Sequence, residues 1–102
     1  MTENAVSLDL LKKHLRAEYD DDDAYLSHLT EVAQAYVERA THRTHEELLA
    51  LGGGIYPLQL MQAILMLAAH WYNQREAASS VQFTEVPHAV SSMIKQFRKL
   101  LV

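Results

Sequence analysis

The chain has no cysteine, only two prolines and three glycines in 102 residues, and few aromatic side chains. Without cysteine there is no disulfide framework, no thiol nucleophile and no Cys-based zinc site. Scarce proline and glycine leave few places to break a helix. The first ten residues, MTENAVSLDL, hold neither a basic start nor a long apolar run, so no secretory signal is expected. No Gly-Lys-Ser/Thr follows the triplet Gly52-Gly53-Gly54, so it is not a phosphate-binding loop. No nucleophile stands beside a recognisable base, and the six histidines are scattered, so no enzyme and no cofactor is expected.

What is abundant is Ala, Leu, Gln, Glu and Met. The reading is a single all-α domain over residues 1–102: about four helices plus one short helix around a buried central helix, with an extended loop before the last one. The central helix is Pro57–Glu76. Its apolar positions Leu58, Leu60, Met61, Ile64, Leu65, Met66, Leu67, Ala68, Trp71 and Tyr72 cover most of a helical wheel, as in a buried helix. Pro57 suits a first turn, where a missing N–H costs nothing. Gln59, Gln62, His70 and Asn73 interrupt the apolar run, so a membrane span is not expected.

Around it, Ser7 is a candidate N-cap for a helix Leu8–Leu15, with Leu8, Leu11 and Leu15 on one face. A second helix is expected from about Asp21 to Thr41. Its core stripe reads Leu26, Leu29, Ala33, Tyr36, Val37 and Ala40, with Ser27, Glu31, Gln34 and Glu38 outward. Asp20–Asp23 crowd its start, where carboxylates favour the helix dipole and one can cap it. Asp20, Asp22 and Glu31 also fall at positions 1, 3 and 12 of a calcium-loop count, but Ala24 and Tyr25 occupy positions that need a ligand and a glycine. His42 and His45 lack an evident third metal ligand. Thr44 with Glu47 matches a capping box for a short helix His45–Leu51 that the glycines end. Val81-Gln82-Phe83-Thr84-Glu85-Val86 is the one strand-like stretch, readable as a loop on the bundle or an arm to another subunit. Pro87 opens the last helix, His88 to about Leu100, with the stripe Val90, Met93, Ile94, Phe97 and Leu101.

Charge is unevenly placed. Residues 1–56 carry eleven acids and five bases, a net of −6, and residues 57–102 two acids and four bases, a net of +2. The overall −4 argues against a generic DNA binder, which shows a basic stripe.

The order of segments is more particular than its parts. The chain runs LKKHLR (Leu11–Arg16), DDDDAYL (Asp20–Leu26), LTEVAQAYVERAT (Leu29–Thr41), AILMLAAHWYNQRE (Ala63–Glu76) and VPHAVSSMIKQFR (Val86–Arg98). In this order the segments resemble the head–tail connector proteins, also called adaptor or head-completion proteins, of long-tailed bacteriophages and prophages. The resemblance spans Leu8 to Arg98 and carries no fixed motif through His42–Tyr56 or Ala77–Val86.

That resemblance implies a structural subunit and no cofactor. Its expected partners are a homo-oligomeric ring, usually dodecameric on the portal, then the portal protein, and a stopper or tail-completion protein. Double-stranded DNA passes without sequence-specific binding, and no membrane is involved. Its expected place is the virion head–tail interface, after assembly in the host bacterial cytoplasm. Carried over, portal-binding falls on Lys95, Arg98, Lys99, Leu100, Leu101 and Val102, and the subunit interface on Arg75, Glu76, Val81, Gln82, Phe83, Thr84 and Glu85. A channel lining should avoid adding up Lys/Arg–phosphate contacts, which makes Asp20, Asp21, Asp22, Asp23, Glu46 and Glu47 the channel-lining candidates. Residues 1–6 are expected as a flexible start, 77–86 as an interaction loop and 99–102 as a tail. The competing reading is a helical DNA-binding or regulatory protein of a prophage or mobile element.

Overall fold

The structure, a computed structural model, describes residues 5–17, 21–77 and 86–98, without the side chains of 75–77. In chain order it contains α1 (Leu8–Leu15), α2 (Asp23–Thr41), α3 (His45–Leu51), α4 (Leu58–Ala77) and α5 (His88–Lys95). The all-α bundle is as expected, and three of the helix starts are fixed by the caps read from sequence or by proline. The Ser7 hydroxyl accepts the Leu10 N–H at 3.1 Å. Thr44 and Glu47 form a reciprocal capping box, with the Glu47 N–H donating to Thr44 Oγ1 at 3.2 Å and the Thr44 N–H to Glu47 Oε1 at 3.0 Å. The Pro57 carbonyl accepts the N–H groups of Leu60 and Met61, each at 3.0 Å. After α3 the chain turns through Gly53 and Gly54 at φ of 69° and 101°, a region that side chains with a Cβ rarely adopt.

The core runs through α4. Leu60, Ala63, Ile64, Leu65, Leu67, Ala68, Ala69 and Trp71 are all buried. Gln59, Gln62 and Asn73 are exposed and Met66 and His70 half-buried, and at spacings of three and four they form one narrow solvent stripe. Leu58 is the exception among the expected core positions. It is 74% exposed, because the first turn turns it to the Gln62 side, away from the bundle. Leu11 of α1, Leu26, Leu29, Ala33 and Val37 of α2, Leu48 of α3 and Val90 and Ile94 of α5 complete the cluster. Tyr56–Glu38 at one end and Tyr72–Asp22 at the other show that α2 and α4 run in opposite directions.

Four further expectations are corrected. The inner face of α2 includes Thr30, Gln34 and Thr41, whereas Tyr36 is 39% exposed and packs edge-on against Trp71. Asp22 stands at the N-cap of α2 but makes no cap bond with its side chain. Its carboxylate accepts the Tyr72 hydroxyl instead. The expected flexible start does not extend to Ala5 and Val6, since Val6 is buried and the Ala5 N–H donates to Gln34 Oε1 at 2.7 Å. Finally, α5 ends at Lys95 rather than near Leu100. The next bonds, Phe97 N–H to Ile94 O and Arg98 N–H to Lys95 O, close three-residue turns. The strand-like stretch lies outside the described residues apart from Val86, which packs on the core.

These burials set a contrast within one helix. Leu65→Ala should cost about 2–5 kcal/mol, through lost contacts and the cavity left behind. Leu58→Ala should stay within about 0.5 kcal/mol, as for other surface changes. Urea unfolding of the two variants checks this, and equal losses would contradict the placement of Leu58.

Candidate functional site

Two polar assemblies hold the end of the bundle where α2 finishes. The first is a hub on Glu38. Its Oε2 accepts Gln34 Nε2–H at 3.1 Å and the Tyr56 hydroxyl at 3.3 Å, and lies 3.2 Å from His45 Nδ1. The ring of His45 stacks obliquely on Tyr56 at 5.6 Å. With the Ala5 N–H on Gln34, the hub ties together the N-terminal segment, α2, the start of α3 and the approach to α4. Gln34, His45 and Tyr56 are buried, so this carboxylate fixes position rather than meeting a substrate. Burial, then the Glu38 charge and its hydrogen bond, push the Tyr56 hydroxyl well above the ordinary tyrosine value.

The second assembly is a pair of arginines that cap each other's helix ends. The last carbonyls of a helix have no partner within it. Arg43 Nε–H, just past α2, donates to Phe97 O at 2.8 Å, just past α5. In return Arg98 Nε–H donates to Ala40 O in the last turn of α2 at 3.2 Å. Cations at helix C-termini also suit the dipole. Arg39 and Lys95, both exposed, belong to the last turns of the same two helices. The result is a bundle end carrying the bases Arg39, Arg43, Lys95 and Arg98, with Glu46 and Glu47 on the adjoining first turn of α3.

Of the residues expected to bind a portal, Lys95 and Arg98 therefore sit at this basic end, while Lys99, Leu100, Leu101 and Val102 lie outside the described residues. Of the expected subunit interface, Arg75 and Glu76 are in the last turn of α4 without described side chains, and Val81, Gln82, Phe83, Thr84 and Glu85 lie outside. The acidic candidates divide. Asp20 lies outside the described residues and Asp21 is exposed. Asp22 serves Tyr72, and Asp23 lies 2.9 Å from Lys12 Nζ. Glu46 is exposed on the first turn of α3 and Glu47 closes the capping box. The two acidic groups flank opposite ends of α2, roughly 28 Å apart at 1.5 Å per residue, so they do not form one patch.

An open cleft of about 580 Å³ on α1 is lined by Asp9, Lys12, Lys13, Arg16 and Ala17. Among the described residues no three His, Asp or Glu side chains group as metal ligands would. None of the described helices is long and apolar enough to cross a membrane. Sequence reasoning missed Gln34, Glu38, Tyr56 and Arg43, whose partners are distant in the chain. It also missed the exposed Leu51, Ile55 and Leu58, although apolar residues around a glycine triplet are a visible signal.

Over residues 5–98 the chain matches the family described as phage gp6-like head-tail connector protein. The chain belongs to this family. The match takes in all five described helices, so both the hub and the basic end lie within the connector body. A head–tail connector is a structural component of the phage virion, and the buried hub and capped helix ends suit a part that must hold its shape. No curated protein and no solved structure matches the chain.

The hub makes the connector's stability fall at alkaline pH. Above about pH 10 a tyrosine in the unfolded chain loses its proton, while folded Tyr56 keeps it. The folded state then binds more protons, and stability drops as pH rises. Tyr56→Phe should cost about 1 kcal/mol at neutral pH and flatten that alkaline loss. Thermal unfolding of both proteins across this range is the check, and an unchanged slope would contradict the hub.

Proposed function

We propose that this connector is the subunit of a ring beneath the portal of a filled head, extending the DNA channel and carrying the stopper or tail-completion protein. The observation that carries the reading is the basic end built by Arg43 and Arg98. Lys95 and Arg98 lie at that end, and together with the segment Lys99–Val102 they are proposed to reach the portal. A charged, pre-shaped end favours fast and oriented docking on an acidic partner surface. Arg75, Glu76 and Val81–Glu85 are proposed to touch the neighbouring subunit or the next ring. Asp21, exposed and acidic, is the strongest candidate for a lining that lets DNA slide. Assembly would take place in the host cytoplasm before the connector joins the virion.

A DNA-binding regulator is a weaker reading. It needs an exposed basic helix, whereas α5 is 8 residues long and buries Val90 and Ile94, with its one base in the last turn. The combined change Lys95→Glu and Arg98→Glu should weaken co-sedimentation with purified portal assemblies by about tenfold or more at low salt. The helical circular-dichroism signal should be largely kept, since both side chains are exposed and Arg98 gives up a single exposed bond, to Ala40 O. Unchanged portal binding would remove the basic end from the proposal, and tight sequence-specific gel shifts by the wild-type protein would favour the regulator.

A further inference from the structure

Besides Leu10 on α1, itself 39% exposed, the described residues of the connector group exposed apolar side chains in two places. One is the corner between α3 and α4, where Leu51, Ile55 and Leu58 are 52%, 65% and 74% exposed within eight residues of chain. The corner is held in shape. Gly52 N–H bonds Leu48 O at 3.2 Å and Gly54 N–H bonds Leu49 O at 2.8 Å. A Cβ on Gly52 would stand 1.8 Å from the Ile55 carbonyl oxygen, so the turn also requires glycine there. A surface already fixed in its bound shape loses little freedom on docking.

The other is the outward face of α2. Val32 and Tyr36 are each 39% exposed, with Ala35 and Arg39 on the same side one turn apart. This face points away from the inner one that carries Ala33, Val37 and Gln34. The charges beside the two patches are opposite. Glu47 lies one turn before Leu51 on α3, with Glu46 beside it. Arg39 borders the α2 patch and has no ion-pair partner among the described residues. Glu31, the acid on the α2 face, lies about 12 Å back along the helix from Arg39 at 1.5 Å per residue.

From these two surfaces we infer that the α3–α4 corner of one subunit docks on the outward face of α2 in the next copy of this chain. Leu51, Ile55 and Leu58 cover Val32, Ala35 and Tyr36, and Glu46 and Glu47 face Arg39. Two different faces that fit each other make a heterologous contact, which repeats from copy to copy and closes when the rotation allows. The inference rests on the ring reading of the connector and adds the surfaces that build the ring.

The test uses two single variants that each spoil one face. Ile55→Asp removes the corner and Val32→Asp the α2 face, and both side chains are exposed, so each variant should keep the wild-type melting temperature. In native mass spectrometry at high protein concentration the wild type should form closed oligomers. Each variant alone should lose them, with subunit affinity down on the order of a hundredfold. Mixed together, the two variants should give a one-to-one dimer and nothing larger, because only one good pair of faces remains. Arg39→Glu should weaken assembly, and adding Glu46→Arg should restore part of it. Oligomers undiminished in both variants, dimers of either variant with itself, or a wild type that stays monomeric would each overturn the inference. Portal co-sedimentation reports separately on the connector reading, so loss of one need not carry loss of the other.

Discussion

The constraint on which the fold depends is the burial of α4. Its side chains are apolar on nearly every side, with one narrow stripe through Gln59, Gln62 and Asn73 left to water. A helix of that kind is not stable by itself and must be covered. Helices α1, α2 and α5 do this, each contributing a short apolar face: Leu11, then Leu26 to Val37, then Val90 and Ile94. Helices as short as α1 and α5, each of 8 residues, exist only because they lie on it.

The polar side chains near the two ends of α2 are tied to other elements in different ways. At its start, Asp22 and Asp23 are joined to Tyr72 and Lys12, from α4 and α1. At its finish, Glu38 gathers side chains from three segments and Arg43 and Arg98 exchange caps between α2 and α5. Both ends are thus fixed by contacts between elements, which suits a structural component that has to hold its shape. The surfaces proposed to meet its neighbours are the basic end, the glycine-turned corner and the outer side of α2.

What was legible in the sequence was local. Ser7, the Thr44–Glu47 box, Pro57 and the glycine triplet act over three or four residues, and each marked its boundary. The apolar run of α4 was legible because it is extreme. Gln34 was read as outward because its partner Ala5 is 29 positions away, and a polar residue without a visible partner reads as surface. The bond between Asp22 and Tyr72, 50 positions on, could not be anticipated either. The same holds for the site. Lys95 and Arg98 entered the candidate site through the family resemblance, but the Arg43 bond to Phe97, spanning 54 positions, and the exposure of Leu58 are products of packing.

As a connector, this chain is a fixed part of the junction between head and tail. Cryo-electron imaging of DNA-filled heads carrying a tagged copy of the chain tests it most directly. Tag density is expected at the portal exit, with helical density that accommodates the five-helix body. Heads and complete particles that assemble normally with no tag at the portal exit would contradict it.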